Sequence, residues 1–242
     1  MGVALTTEVS GDDMRFRFPT LIGAFLLATL SPVSGQPFDP VRAYGDGMEF
    51  EVLRDGSPVG RHTVRFSRDG EDLIVDVDMK VAISILGITV YRFGYRSEAI
   101  WRDGLMQRLD AFIDDDGKRK RIEAVSDGDA VTVEGPNGAH QGGAEVLPTN
   151  HWNPAVQGRD RVLNTLTGRI ASVAITAEGS DEIETNRGRV RATRFAYSGD
   201  LHDIHVWYDD QGRWVQMRFI DKQGGTMEYR CVRCGRAEPA SE

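Results

Sequence analysis

Three short stretches hold the residues best suited to chemistry. Cys231-Val232-Arg233-Cys234 contains both cysteines of the chain. A C-x-x-C spacing offers a disulfide, a redox dithiol or part of a metal site. In a continuing strand the two Cα atoms would lie roughly 10 Å apart with side chains on opposite faces, beyond the ~7 Å that a disulfide spans. A bridge therefore requires a turn at Val232-Arg233, which Gly235 and the polar tail permit. A thioredoxin-type thiolate needs its first Cys at a helix N-terminus, and no helical pattern adjoins this pair. A structural disulfide is expected, with free thiols as the alternative.

His202-Asp203-Ile204-His205 has the spacing of a metal motif only on a helix. On a strand, positions three apart point to opposite faces. His202 then lies with Ile204, Val206 and Tyr208, and His205 with Asp203 and Trp207, so no shared metal ion is expected. Asn150-His151-Trp152-Asn153 gathers an imidazole, an indole and two amides on one loop, where function tends to sit on a rigid scaffold. Its structural alternative is a Trp plugging the core and an Asn capping a helix. An enzyme reading would use His151 or His205 as a base. However, the sequence has no Gly-x-Ser-x-Gly elbow, Walker loop, His-Glu-x-x-His or paired-Cys zinc set. No catalytic residue, cofactor or metal is expected. The formal net charge of −8 argues against nucleic acid or an anionic membrane as a partner through a clustered basic face.

The elements that must position these residues are strands. Leu73, Val75, Val77, Met79 and Val81 alternate with Ile74, Asp76, Asp78, Lys80 and Ala82. Met48, Phe50 and Val52 alternate in the same way, and so do His62, Val64 and Phe66. Successive strand side chains point to opposite faces, so this is the pattern of half-buried strands. Asp55-Gly56, Asp69-Gly70, Asp103-Gly104, Asp127-Gly128 and Gln211-Gly212 separate such runs. Asp-Gly suits a tight hairpin because both central residues take positive φ there. The expectation is an all-β, mainly antiparallel domain over 46–234, with about ten to twelve strands in one highly curved sheet or half-barrel. A two-sheet sandwich is the alternative.

Two segments depart from the pattern. Gly135 to Thr149 is rich in Gly and Pro and is expected to be a loop. Asn153 can then cap a short helix that starts at Pro154 and covers Ala155 to Thr165. Ile83 to Val90 is apolar on both faces, which predicts burial on two sides, with a cover over a ligand cavity or a segment dipping toward a membrane as the alternatives. The Asp114–Asp116 run followed by Lys118–Arg121 predicts a solvated hairpin tip.

The N-terminus carries an address. Arg15 and Arg17 follow Met14, an uncharged run covers Leu21 to Leu30, and Val33 and Gly35 stand at the positions small residues take before a cleavage site. This predicts a cleaved signal peptide and a periplasmic protein. The acidic residues 8, 12 and 13 fit poorly ahead of it, so Met14 is expected to be the true start, with Met1 as the alternative. The apolar run is about half of the ~20 residues that a span requires, so no permanent membrane span is expected. Residues 36–45 are expected to be a disordered linker and 235–242 a disordered tail.

Several motifs together resemble a known family: Gly56-Ser57-Pro58-Val59-Gly60, Leu86-Gly87-Ile88-Thr89-Val90-Tyr91-Arg92, and Leu147-Pro148-Thr149 with Trp152-Asn153. Asn164-Thr165 with Thr167-Gly168, and Gly199-Asp200-Leu201 ahead of Trp207-Tyr208-Asp209, extend the pattern. These are similar to an exported bacterial β-sheet family known only as a domain of unknown function. The resemblance implies an antiparallel β domain in the envelope of diderm bacteria, and it supplies no activity or catalytic residues. Its broader shape is similar to the half-barrels of periplasmic lipoprotein carriers, an analogy of fold alone. The expected function is a non-enzymatic binder of a lipid-like or other hydrophobic ligand, with Tyr91, Phe93, His151, Trp152 and Trp207 lining the site and Phe219 beside them. The alternatives are an envelope scaffold that pairs its edge strands with a partner protein, and the enzyme with a His base.

Overall fold

The computed structural model describes residues 37–235. The leader at 14–35 and the tail beyond Gly235 lie outside that range.

Alternation sets the architecture. The first half of the chain runs up and down through β1 (Gly47–Arg54), β2 (Ser57–Asp69), β3 (Asp72–Ile85), β4 (Ile88–Arg102), β5 (Leu105–Asp115), β6 (Lys118–Ser126), β7 (Ala130–Gly135) and β8 (Gly138–Gly143). The second half adds β9 (Leu147–Pro148), β10 (Arg161–Asn164), β11 (Arg169–Thr185), β12 (Gly188–Gly199), β13 (Ile204–Asp209), β14 (Trp214–Ile220) and β15 (Thr226–Arg233). All fifteen form one sheet in the order β8-β7-β6-β5-β4-β3-β2-β1-β15-β14-β13-β12-β11-β10-β9. First and last strands pair antiparallel at its centre, and only β9 and β10 run parallel. The sheet is a meander whose one unpaired seam lies between β8 and β9.

Fifteen strands exceed the expected ten to twelve, for local reasons. The Gly-rich stretch expected to be a loop contains β8 and β9. Glycine there answers to close packing rather than to a turn. A Cβ on Gly142 would stand 2.8 Å from Val146 Cγ2 and 3.4 Å from Ile170 Cδ1, across the seam. Asn137 Nδ2 also crosses it, donating to the Thr167 carbonyl at 2.8 Å. β11 runs unbroken across Gly179, with a bulge between Ala177 and Gly179. The helix expected over Ala155–Thr165 is only a 3-10 turn, Pro154–Gly158, capped by Asn153 Oδ1 accepting from Ala155 N at 3.0 Å. β10 occupies the remainder.

Residues 37–45 of the expected linker also take defined structure. Asp39 Oδ1 accepts from Val41 N at 3.0 Å and caps the helix α1 (Pro40–Tyr44). The apolar ring of Tyr44, 1 % exposed, draws this segment into the core against Phe66, with ring centroids 5.6 Å apart.

One end of the β domain is plugged. The turn glycine Gly104 lies against Pro37, and Gly212 lies against Pro154 and Phe38. Tyr44 and Trp152 fill the interior behind them, with Trp152 packed edge-on against Trp101 and Phe66. The opposite end carries the β3–β4, β5–β6 and β14–β15 turns. Asp55-Gly56, Asp103-Gly104 and Asp116-Gly117 all take positive φ as tight hairpins require.

Candidate functional site

Because alternate residues face inward, register alone defines the interior wall. Phe50, His62, Met79, Tyr95, Ile113 and Lys120 follow one another across β1 to β6 in a single cross-strand row. Below this row, on the plugged side, Val77, Ala111 and Ile122 are packed solid, while Val64 reaches the cavity floor. Above it, Val81 and Phe93, then Ile83 and Tyr91, continue the wall toward the open end. From the other half of the sheet, Tyr197, Ile204, Met217, Phe219, Met227 and Tyr229 face them.

These walls enclose a cavity of about 610 Å³, within the range of small-molecule sites. Its lining is predominantly aromatic and aliphatic. Polar residues gather at the floor and at the mouth, where Lys120, Asp115, Asp221 and Lys222 stand. Trp152 contributes to the floor without filling the space.

Of the residues expected to line a ligand site, Tyr91, Phe93, His151, Trp152 and Phe219 line this cavity. Tyr91 donates to Asp115 Oδ1 at 2.8 Å, and burial beside that carboxylate raises its pKa well above the usual phenol range. Trp207 does not line the cavity. It shares a strand face with His205, the face opposite Ile204 and Val206, and its Nε1 donates to Asp181 Oδ2 at 2.7 Å. The Arg218 guanidinium lies 5.9 Å from its ring centroid. Alternation along β13 makes this unavoidable: Ile204 and Trp207 are an odd number of residues apart and cannot both face inward.

Sequence reasoning missed His62, Tyr95, Met79, Trp214 and Tyr229. The signal was available for His62, an imidazole at an inward position of an alternating strand. Its ring lies against Trp214 and Tyr229, with centroids 5.5 and 5.3 Å away. His151 Nδ1 shares a hydrogen bond with Tyr197 Oη at 3.3 Å, and its carbonyl accepts from Tyr208 Oη at 3.0 Å. Burial drives the His62 pKa down to about 3, with His151 nearby adding to the shift, and burial drives His151 down to about 4. Both are neutral imidazoles at ordinary pH.

The other sequence candidates lie elsewhere. Cys231 and Cys234 are joined in a disulfide, with Cα atoms 5.8 Å apart. The chain leaves the strand there, and Cys234 N donates to Asn186 Oδ1 at 3.1 Å. His202 Nδ1 meets Asp203 at 2.8 Å, while His205 Nε2 lies 3.4 Å from Glu178 rather than beside Asp203. Among the described residues, no group of three or more His, Cys, Asp and Glu side chains is placed to hold a metal ion. No helix of the described residues is long and apolar enough to cross a membrane.

The segment expected to be buried on two sides is instead exposed. Leu86 is 97 % exposed and Ile88 70 %. β2 ends its pairing with β3 at Gly60–Val81, and β5 ends its pairing with β4 at Phe93–Asp115. Residues 82–92 therefore project as a lone hairpin beyond both neighbours, rising from the wall residues Ile83 and Tyr91 at the cavity mouth.

The fold and site together define an open, β-barrel-like protein with an apolar interior. Comparison with known families places it further: residues 50–232 match the model of a domain of unknown function, DUF6134, and the chain belongs to that family. A β-barrel-like protein of another domain of unknown function, DUF1849, from Brucella abortus has a similar fold. It is 11 % identical with a TM-score of 0.55, covering 79 % of this chain and 97 % of the other. No curated protein is significantly similar in sequence.

Proposed function

We propose that this protein is an exported, non-enzymatic carrier or receptor that holds a lipid-like hydrophobic molecule inside its curved sheet. The observation supporting this reading is the cavity of about 610 Å³ between the aromatic and aliphatic walls, plugged at one end and open at the other. Burial of hydrocarbon supplies roughly 25 cal/mol per Å², so an alkyl chain running from Met79 and Tyr229 past Phe93 and Phe219 would bind without charged contacts. The Arg15-Arg17 and Leu21–Leu30 segments support export to the periplasm. A disulfide between Cys231 and Cys234 suits that oxidising compartment.

Native mass spectrometry of the protein purified from a bacterial envelope tests the reading. A bound mass that organic extraction releases is the expected result, together with N-terminal sequencing that finds the chain cut near Gly35. A ligand-free chain that also fails to take up N-phenyl-1-naphthylamine would end the proposal.

A further inference from the structure

The basic strand β6 pairs its charges on one face only. Lys118, Arg119, Lys120 and Arg121 alternate between its two sides. On the outer face, Arg119 meets Asp114 at 3.5 Å and Arg121 meets Asp110 at 2.9 Å, both carboxylates of β5. On the inner face, Lys120 lies opposite the buried Ile113 and on the same side of its strand as the buried Ile122 and Ala124. Lys120 is half-buried and lines the cavity. Charged side chains are rarely set against an apolar wall without a partner, because water is lost and nothing replaces it.

The cavity mouth supplies no partner for this amine. Asp115, the inner-face carboxylate diagonal to Lys120, accepts from Tyr91 Oη at 2.8 Å. Asp221 accepts from Arg54 Nε at 2.6 Å and from the amides of Gln223 and Gly225 at 2.9 and 2.8 Å. Lys222 is the remaining charge lining the mouth. Among the described residues, no carboxylate lies within ion-pair distance of Lys120 or Lys222. The acids of the mouth are engaged and its cations are free, so the rim favours a negative ligand atom. Pairing between β6 and β7 stops at Glu123, which leaves the Lys120 stretch as a free edge that a ligand head can reach.

Building on the cavity reading above, we propose that Lys120 anchors an anionic head group, a carboxylate or a phosphate, at the cavity mouth. The ligand is then an anionic amphiphile that enters tail first. Its hydrocarbon lies along Phe93 and Phe219 toward Met79 and Tyr229. The lysine stem packs on the apolar wall while its ammonium stays at the rim beside the head group. A charge-assisted contact there is screened less than one on an open surface.

Displacement of N-phenyl-1-naphthylamine from the folded protein by ten-carbon probes at pH 7.5 tests this. Lys120→Met should raise the decanoate concentration needed about tenfold and leave that of 1-decanol unchanged. Lys120→Arg should restore most of the decanoate affinity. Arg119→Gln, which removes an outward cation from the same strand, should change neither probe. All three variants should melt within about two degrees of the parent, since none removes a core contact. Decyl phosphate acting below the decanoate concentration would assign the head group to a phosphate, and the reverse order to a carboxylate. Decanoate displacement that Lys120→Met leaves unchanged would overturn the proposal while leaving the hydrophobic cavity standing. Decyltrimethylammonium acting below the decanoate concentration would also overturn it and assign the mouth to Asp115. Failure of the reporter itself to bind would remove both readings.

Discussion

The Tyr44 hydroxyl accepts a hydrogen bond from Trp214 N at 2.9 Å and donates one to the Trp152 carbonyl at 3.1 Å. One oxygen thus ties the N-terminal helix to the second half of the sheet and to the loop at the cavity floor. Burial raises the phenol's pKa far above its ordinary range, which keeps the donating proton in place. Tyr44→Phe keeps the ring stack on Phe66 and leaves a buried amide and a buried carbonyl unmade. The expected cost is about 1–3 kcal/mol, read as a lower urea midpoint at unchanged slope. A midpoint equal to the parent's would show that the amide and carbonyl are satisfied without this hydroxyl.

A second anchor lies beyond the plugged floor, at the end of β13. Asp209, with its side chain 1 % exposed, accepts from Arg187 Nη2 at 3.0 Å, Arg213 Nε at 2.8 Å, and the amides of Gln211 and Arg213 at 3.0 and 2.9 Å. Breaking such a buried set by removing one partner typically costs about 3–5 kcal/mol, because the remaining charges stay buried and uncompensated. Asp209→Asn should therefore lower the melting temperature by many degrees without altering the shape of the turn. A melt within two degrees of the parent would show that the two guanidinium groups find solvent or other partners.

The depressed histidines make stability fall in acid. In the folded protein the His62 pKa is about 3 and the His151 pKa about 4, while both return to about 6.5 on unfolding. Above pH 6.5 both states are neutral and the pair contributes no pH dependence. As pH falls below 6.5 the unfolded chain binds protons that the folded one refuses, so stability is lost at up to about 1.4 kcal/mol per pH unit for each histidine. Urea titrations between pH 6.5 and about 5, above the range where the lowered carboxylates such as Asp110 and Asp221 begin to cost stability, should show that slope, and His62→Met should remove about half of it. A flat profile would mean that both rings accept protons in place.

How far this was legible in the sequence depended on which physics acted locally. Alternation placed Met48, Phe50, Val64, Val75 and Val77 inside, and the Asp-Gly turns marked hairpins, because side-chain period and positive φ are properties of adjacent residues. Long-range packing left no such trace. Gly142 reads as a loop residue until Val146 and Ile170 are seen to crowd it. His62 and Tyr95 line one cavity from different strands, and nothing in either run announces the other. Trp207 was misplaced for a different reason, since its aromatic character outweighed its parity along β13, which was already written in Ile204 and Val206.

The projecting hairpin gives the proposed function its most direct mechanical test. Leu86 and Ile88 touch little of the fold, so their exposure contributes nothing to the core, and exposed substitutions usually change stability by less than about 0.5 kcal/mol. Leu86 sits at φ 50° and Gly87 at φ 80°, a tight turn in which Asp is well tolerated at the first position. Exposed apolar side chains beside the mouth of a hydrophobic cavity are suited to contact the membrane from which a lipid-like ligand comes. Leu86→Asp with Ile88→Asp should therefore leave the melting temperature within a degree or two of the parent. It should also leave the affinity for soluble N-phenyl-1-naphthylamine unchanged. Transfer of a pyrene-labelled fatty alcohol from phosphatidylethanolamine–phosphatidylglycerol vesicles should slow by about an order of magnitude, because removing two buried apolar contacts and adding two charges both oppose insertion into the vesicle surface. Unchanged transfer would detach the hairpin from ligand uptake and leave the cavity to fill from solution.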